Sequence, residues 1–224
     1  TRRSSDLGPK KYLYSDLGYY YLQEIIEHIT GKRLDAVIEP IYKQMNLQLT
    51  YLPLQGFPKS QIAPTEQDDQ FRKQLVHGYV HDPGAAINGG VSGHAGLFGN
   101  ALDVATLMQM FMQKGVYQNQ IILDSNVVKA FTRTPYFKGN RRALCFDKPE
   151  TNNKKTSPVI ESCSSESFGH SGFTGTFAWA DPKSQLVYVF LSNRVYPDAE
   201  NPSILRLKTR QKIHELAYQL IQTL

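Results

Sequence analysis

Three adjacent polar residues at the start of an apolar run could carry acid–base chemistry. Tyr14, Ser15 and Asp16 stand directly before a predicted helix. The positive end of a helix dipole favours the ionised form of a nearby phenol, and a phenolate can act as a general base. The alternative is structural, because Ser15 or Asp16 could simply cap the helix by accepting a backbone N–H. The sequence leaves both interpretations open.

A second polar segment begins at His170 and leads into a predicted β-hairpin. Gly172 and Gly175 leave room for the backbone of a ligand to approach a strand edge. The hydroxyls of Ser171 and Thr174 can form hydrogen bonds with that ligand. The alternative is a glycine-rich strand entry with a histidine that is satisfied locally.

A third set of polar side chains, His77, His81, Asp82 and His94, suggests a metal site. The surrounding residues 53–100 are rich in glycine and proline and have no sustained helical period that would place several of these ligands on one face. We interpret the segment as a loop held by hydrogen bonds from histidine to the backbone. No metal ion and no other cofactor is predicted.

Four segments have the apolar periodicity of helices, and each apolar stripe is expected to face a core. They contain Leu17, Tyr21, Ile25 and Ile29 before Gly31; Val104, Leu107, Met108, Phe111 and Met112 after Asn100; Val127, Val128 and Phe131 after Asp124; and Ile213, Leu216, Ala217, Leu220, Ile221 and Leu224. Residues 173–180 and 186–192 are rich in aromatic and β-branched side chains. With the turn-forming residues 181–185 between them, they predict an antiparallel hairpin before the last helix.

Two long segments have no helical or strand pattern. Residues 53–100 are predicted to be a loop, and a loop of that length inside a domain is commonly one wall of a binding site. Residues 138–167 are polar and are predicted to project into solvent. No internal repeat or linker is evident, which favours one domain or a contiguous part of one.

The composition excludes several classes of protein. The 224 residues contain 16 glycines and 12 prolines, too few for a fibrous or low-complexity chain. The apolar runs are far shorter than the roughly 20 residues that cross a bilayer. The net charge is +5, but the basic residues occur as scattered pairs, which argues against nucleic-acid binding. Two cysteines, Cys145 and Cys163, support neither a zinc knuckle nor a disulfide framework, and a single disulfide between them stays open.

Taken in order, these segments resemble the serine β-lactamase and penicillin-binding-protein superfamily, in particular its class C β-lactamase, esterase and D-aminopeptidase branch. Members carry a Ser-x-x-Lys nucleophile motif, then Tyr-x-Asn, and finally Lys-Thr-Gly or His-x-Gly on a strand at the sheet edge. Tyr14-Ser15-Asp16 matches the second motif, and His170-Ser171-Gly172 matches the third. The segment from Gly93 to Phe98 is similar to the stretch between them. The resemblance covers nearly the whole chain.

The resemblance implies a role for each matching residue. Tyr14 would be the proton shuttle between nucleophile and leaving group, and Asp16 would stand where an Asn orients the substrate amide. His170 would replace the cationic Lys that binds a substrate carboxylate. The backbone N–H of Phe173 would contribute to an oxyanion hole, a donor that stabilises the tetrahedral intermediate by about 3 to 4 kcal/mol. Asp in place of Asn is unfavourable for β-lactam turnover, because a carboxylate cannot donate the amide hydrogen bond. Ser15, Ser171, Gly172 and Thr174 would line the substrate site.

The nucleophile motif Ser-x-x-Lys does not occur in the sequence. Thr151-Asn152-Asn153-Lys154 has the same spacing, but it contains Thr and follows the Tyr motif, which is the wrong order. We therefore expect residues 1–224 to be the C-terminal part of one β-lactamase-like domain, with 1–135 mainly helical and loop, and 136–224 containing the sheet and the last helix. A missing N-terminal segment, a second copy or a separate chain would be needed to complete the sheet.

The expected fold is a mixed α/β fold of the α+β type, with a helical region, an antiparallel sheet and a C-terminal helix, incomplete at the N-terminus. The expected function is part of a serine hydrolase that acts through an acyl-enzyme on an amide or ester, with D-amino-acid peptides of the cell wall as one substrate class. The alternative is a non-catalytic module that binds such peptides. The resemblance to modules of bacterial envelope proteins implies a periplasmic or extracellular location.

Overall fold

The computed structural model describes residues 14–133, 140–152 and 155–223. The helices are α1 (Leu17–Thr30), α2 (Leu34–Gln44), α3 (Pro83–Ile87), α4 (Ala101–Met112), α5 (Ser125–Thr132), α6 (Ser203–Arg206) and α7 (Thr209–Gln222). The strands are β1 (Pro64–Asp68), β2 (Gln74–His77), β3 (Val116–Tyr117), β4 (Gln120–Ile121), β5 (Phe168–Ser171), β6 (Phe177–Asp181) and β7 (Leu186–Phe190). Helices and small antiparallel sheets together make the mixed α/β fold of the α+β type, as expected.

The ends of three helices follow from their capping residues. Helix α1 ends at Gly31, whose φ of 65° is left-handed and whose N–H donates to the Glu27 carbonyl at 2.8 Å. Helix α4 begins where the Asn100 side chain accepts from the Asp103 amide at 2.9 Å. Helix α5 begins at Asp124, which accepts from two backbone amides of the first turn. The predicted end of α1 and the predicted starts of α4 and α5 are confirmed, whereas α4 ends at Met112 rather than at Gly115.

The central sheet has the order β5-β6-β7 and is antiparallel throughout. The predicted hairpin is therefore present, but its first strand starts at Phe177 rather than Phe173. Gly172 donates to the Thr176 carbonyl at 2.9 Å and Gly175 has a φ of 109°, so these residues form the turn between β5 and β6.

Side chains of β6 alternate between two hydrophobic clusters, one on each face of the sheet. Phe177 and Trp179 pack with Tyr218 of α7. Ala180 packs on the other face with Phe168 and with Met108 of α4. The sheet thus lies between α7 and α4, and this packing fixes the strand that carries His170.

Helix α7 turns only part of the predicted face to the sheet. Ile221 packs against the cluster around Trp179, as predicted, and His214 and Tyr218 are buried, whereas Ile213, Leu216 and Leu220 are exposed. Burial lowers the pKa of His214 to about 4, so this residue is neutral beneath the sheet. The Tyr218 hydroxyl donates to Asp181 at 2.6 Å, and this bond allows a polar group to occupy the core.

The apolar stripes of two other predicted helices also differ from expectation. In α1 the stripe from Leu17 to Ile29 is exposed, and Gln23 is the buried residue. In α5 only Val128 is buried, while Val127 and Phe131 are exposed. Helix α2 has no counterpart among the predicted helices, since Pro40 interrupts its segment.

The long segment from residue 53 to residue 100 is more ordered than predicted. It contains two short 3-10 turns, the antiparallel hairpin β1–β2 and α3. Its strands lack apolar alternation because Glu66 and Asp68 are buried and are satisfied by Arg72. Arg72 also donates to the carbonyls of Val80 and His81, which ties the hairpin to the residues that follow it.

The predicted solvent loop, residues 138–167, contributes to the core where it is described. Val159 and Cys163 belong to the cluster around Trp179. Lys148 is buried and donates to the carbonyls of Thr132, Glu166 and Ser167 at 3.0 to 3.1 Å. Burial lowers the pKa of Lys148 to about 8. The hydrogen bonds of Lys148 thus allow a polar segment to be buried, and its composition alone does not predict them.

The two cysteines do not pair. Cys145 is exposed and Cys163 is buried, and both are free thiols. Burial raises the pKa of Cys163 to about 12.

Several predicted features lie outside the described residues, namely Leu224, the boundary between residues 135 and 136, residues 138 and 139 of the polar loop, and Asn153 and Lys154. In the part of the chain that the structure describes, every helix is too short or too polar to cross a membrane.

Candidate active site

The Tyr14-Ser15-Asp16 motif lies at the N-terminus of α1. The capping interaction is made by Ser15, whose hydroxyl accepts from the Leu17 amide at 3.2 Å. The Asp16 carboxylate makes no capping bond, although its carbonyl accepts from the first helical amides. Tyr14 is 55% exposed. Ser15 therefore has the structural role of a cap, whereas the side chains of Tyr14 and Asp16 take no part in capping α1.

The His170-Ser171-Gly172 motif lies at the end of β5, at the edge of the sheet. His170 pairs with Ala178 of β6. Gly172 and Thr174 belong to the turn that follows, where the Thr174 carbonyl accepts from the Arg194 amide at 2.8 Å. No hydrogen bond among residues 14–133, 140–152 and 155–223 uses the Phe173 amide N–H. That donor is therefore unengaged at the position assigned to an oxyanion hole.

The Phe173 side chain lies between two polar residues. The Arg194 guanidinium is 4.3 Å from its ring centroid, and the His81 ring is 5.2 Å away on a tilted plane. Arg194 also donates to the Phe173 carbonyl at 2.7 Å. Because His81 belongs to the segment held by Arg72, this contact places that segment beside the β5–β6 turn. The segment 53–100, for which the sequence predicts one wall of a binding site without saying which, is thus next to the third motif.

The fold brings the second and third motifs together. The rings of Tyr14 and His170 are stacked, with centroids 6.4 Å apart and an interplanar angle of 25°. The two residues are distant in the sequence, since Tyr14 precedes α1 and His170 lies on β5. A phenol, an imidazole and the Phe173 amide thus lie around one edge of the sheet. These are the group types that proton transfer and oxyanion stabilisation require.

Arg142 completes this cluster and was not among the predicted site residues. Its guanidinium is 4.3 Å from the centroid of the Tyr14 ring, and its Nη1 is 3.2 Å from Nε2 of His170. Asp147 holds the segment in place, since it accepts from Arg141 at 2.9 Å and lies 3.5 Å from Arg142. The only signal in the sequence is the Arg141-Arg142 pair, which is indistinguishable from a solvated surface pair.

A second polar network lies behind Asp16. The Ser92 hydroxyl is 2.9 Å from Nδ1 of His94, and Nε2 of His94 is 2.8 Å from the Asp82 carboxylate. The order Ser, His, Asp is that of a catalytic triad, but Ser92 is only 1% exposed and cannot meet a substrate. Burial alone would raise the pKa of Asp82, but hydrogen bonds from Ala85 and His94 lower it below its usual range. The network is therefore an ionised carboxylate bonded to a histidine.

The histidines of the 77–94 segment have separate partners. His77 bonds to the Ile62 carbonyl at 2.6 Å, as predicted, and Nε2 of His94 bonds to the Asp82 carboxylate at 2.8 Å. Nε2 of His81 lies 3.3 Å from the Glu66 carboxylate. Within the described residues, the only cluster compact enough for a metal ion is Asp16, Asp82 and His94, whose ligand atoms lie within 4.8 Å of one another. His94 and Asp82 are already hydrogen-bonded to each other, so their closeness needs no metal.

The sequence matches the β-lactamase family model over residues 4–211. A Salmonella agona protein named "Putative D-alanyl-D-alanine carboxypeptidase" is 36% identical over 209 residues, covering 87% of this chain and 48% of the relative. The Salmonella typhi protein of the same name has the same identity and coverage. The chain thus spans about half the length of the curated relatives it matches.

Solved structures have the same fold at lower sequence identity. A penicillin-binding protein homologue from Caulobacter crescentus superposes with a TM-score of 0.56 at 21% identity, over 83% of this chain and 53% of that chain. A β-lactamase from Mycobacterium bovis superposes with a TM-score of 0.52 at 18% identity, over 84% of this chain and 58% of that chain. With the family model matching most of its length, the chain belongs to the β-lactamase family.

Proposed function

We propose that this chain is the part of a serine hydrolase that supplies the proton shuttle, the oxyanion donor and the substrate-binding edge. The reaction is acyl transfer from an amide or ester through an acyl-enzyme. The observation that carries the proposal is the stacking of Tyr14 on His170, with centroids 6.4 Å apart, which joins two motifs that are distant in the sequence.

Each residue has a role in this proposal. As the phenolate, Tyr14 takes the proton of the attacking serine and becomes the neutral phenol, which then returns that proton to the leaving group. The unengaged Phe173 N–H donates to the oxyanion of the tetrahedral intermediate. Asp16 faces the substrate amide and accepts a hydrogen bond from its N–H. Unlike the Asn of the family pattern, it has no donor for the amide carbonyl. Ser15, Ser171, Gly172 and Thr174 border the bound substrate.

The nucleophile in this proposal comes from a Ser-x-x-Lys segment outside the 224 residues, because the motif does not occur within them. The substrates are peptides that contain D-amino acids, a class supported by the name that the Salmonella relatives carry. Such peptides belong to the bacterial cell wall, so the proposed location is the cell envelope.

Covalent labelling of the full-length polypeptide tests this function. Exposure to a fluorophosphonate or to penicillin should add the mass of one acyl or phosphonyl group, as measured by intact-protein mass spectrometry. Peptide mapping should place the group on a serine of a Ser-x-x-Lys segment. Heat-denatured protein is the control and should stay unlabelled. A label on a serine within residues 1–224, or no label at any concentration, would contradict the proposal.

The exposed apolar faces of α1 and α7 support the proposal that additional polypeptide packs on this chain. On α1, Leu17, Tyr21 and Ile25 are exposed, and on α7, Leu216 and Leu220 are exposed. Contiguous apolar surface of this kind commonly marks an interaction site. We assign these faces to the segment that carries Ser-x-x-Lys, since the same segment must also reach Tyr14.

Urea unfolding provides a test of that assignment. Residues 1–224 alone should unfold at a low midpoint or associate, because two apolar faces stay in water. The full-length polypeptide, the matched control, should unfold at a midpoint ordinary for a globular domain. A monomeric 224-residue chain with a cooperative transition at the same midpoint as the full-length polypeptide would show that these faces need no covering.

A second candidate function is a peptide-binding module without turnover. It is favoured by Asp16, which stands where the family pattern has Asn. The labelling experiment separates the two functions. An unlabelled full-length polypeptide that still binds an acetylated D-alanyl-D-alanine peptide would be a binding module.

A further inference from the structure

The ring of His170 has partners on both of its nitrogens. Nδ1 is 2.8 Å from the carbonyl oxygen of Ser171, which can only accept a hydrogen bond. Nε2 is 3.2 Å from Nη1 of Arg142, which can only donate one. Only a neutral ring with its proton on Nδ1 satisfies both partners. The positive charge expected at this position of the third motif is therefore not on the histidine.

The charge lies instead on the segment that carries Arg142. Arg141 and Arg142 supply two positive charges, and among residues 14–133, 140–152 and 155–223 Asp147 is the one carboxylate paired with them. Asp147 is buried, and its closer partner is Arg141, at 2.8 Å against 3.5 Å for Arg142. One positive charge is thus in excess. It sits on Arg142, whose side chain is 20% exposed and borders Tyr14.

We propose that Arg142 is the residue that binds the carboxylate of the substrate, and that His170 positions Arg142 instead of carrying the charge itself. A guanidinium presents two parallel N–H groups to a carboxylate, which gives a strong and directional contact. The ligand class is a peptide or ester with a free terminal carboxylate. The inference rests on the proposed function in one respect, namely that the bound carboxylate is part of the substrate hydrolysed at the same site.

Preference for a carboxylate should depend on pH differently for an arginine and for a histidine. Arginine keeps its charge at every pH at which the protein is folded, whereas a free histidine loses its charge near pH 6.5. The groups facing the His170 ring are the Tyr14 phenol and the Arg142 guanidinium, with the Arg141–Asp147 pair behind it, and the paired residue on β6 is Ala178. Preference for a carboxylate should therefore be constant between about pH 5.5 and pH 8.

The test compares two ligands with the full-length polypeptide. Acetyl-D-alanyl-D-alanine carries a carboxylate, and its C-terminal amide is the neutral match. Ligand-detected NMR titrations give both dissociation constants, and the same spectra record any hydrolysis, so failure of the proposed function is seen separately. The variants are Arg142→Gln, Arg142→Lys and His170→Gln. Arg206→Gln, which removes an exposed arginine of α6, is the matched control for net charge.

The wild type should prefer the carboxylate by about tenfold or more, and Arg142→Gln should abolish that preference. Arg142→Lys should keep part of it, while His170→Gln and Arg206→Gln should keep most of it. The ¹⁵N spectrum should show Nε2 of His170 unprotonated. The inference is overturned if the wild type has no preference, if Arg142→Gln retains it, or if the preference declines as pH rises through 6.5 and disappears in His170→Gln.

Discussion

Replacing Tyr14 by Phe in the full-length polypeptide should lower kcat/KM for an ester substrate by about 100- to 10,000-fold, the range for loss of a positioned general base. Phe keeps the aromatic ring, so the stacking on His170 at 6.4 Å and the Arg142 contact at 4.3 Å can persist. The Ser15 hydroxyl, which caps α1, is unchanged. Only the phenolic oxygen is removed, and the loss therefore measures proton transfer.

Tyr21→Phe is the matched control for this experiment. Tyr21 lies on α1, is exposed and belongs to neither motif, so its hydroxyl should contribute less than twofold. Rates should be followed with an ester rather than a β-lactam, because Asp16 is unfavourable for β-lactam turnover. A loss below threefold in Tyr14→Phe would assign Tyr14 to the aromatic contacts of the site and would remove the proton shuttle from the mechanism.

Replacing Asp181 by Ala should lower the free energy of unfolding by about 3 to 5 kcal/mol, because several buried donors would lose their acceptor at once. Asp181 is 1% exposed. It accepts from the Tyr218 hydroxyl at 2.6 Å, and from the hydroxyl and amide of Ser164 at 2.6 and 2.9 Å. Burial would raise its pKa, but the bonds from Ser164 and Tyr218 hold it below the usual range, so the group is ionised at neutral pH.

Asp198→Ala is a suitable control for Asp181→Ala. Asp198 is an exposed loop residue whose carboxylate accepts from the Glu200 amide at 2.9 Å, and its removal should cost no more than about 1 kcal/mol. Both variants should be measured by urea unfolding of the full-length polypeptide. If Asp181→Ala lies within 1 kcal/mol of the wild type, the buried network around Tyr218 does not hold α7 on the sheet.

The helix boundaries and the hairpin could be predicted because their signals are local. Gly31, Asn100 and Asp124 act on backbone groups within a few residues, and the turn at 181–185 separates two strands directly. Which face a helix buries is not a local property. In α7 the apolar period points to Leu216 and Leu220, whereas Tyr218 is buried because Asp181, from a different element, satisfies its hydroxyl.

In the candidate site, too, residues in short local motifs could be predicted, and residues placed by contacts between distant elements could not. Tyr14 and His170 were predicted from short motifs, and the fold places their rings together. Arg142 was missed because its segment has no period and no motif, and its position depends on Asp147. The hairpin β1–β2 was missed because Glu66 and Asp68 break the apolar alternation, and only the distant Arg72 makes their burial possible.

The backbone bridge between Asp147 and Gly169 allows the positive charge proposed to bind a ligand and the groups proposed for proton transfer to lie on different segments. Asp147 and Gly169 exchange backbone hydrogen bonds at 2.8 and 3.1 Å. Gly169 is the residue of β5 that precedes His170, so these bonds hold the Arg142 segment beside that histidine. The Arg142 charge proposed to select a ligand thus lies in the segment before β5, while the Tyr14 phenol precedes α1 and the Phe173 amide lies in the β5–β6 turn. If Arg142 selects the ligand as proposed, changes within residues 140–147 would alter ligand preference and leave the groups proposed for proton transfer in place.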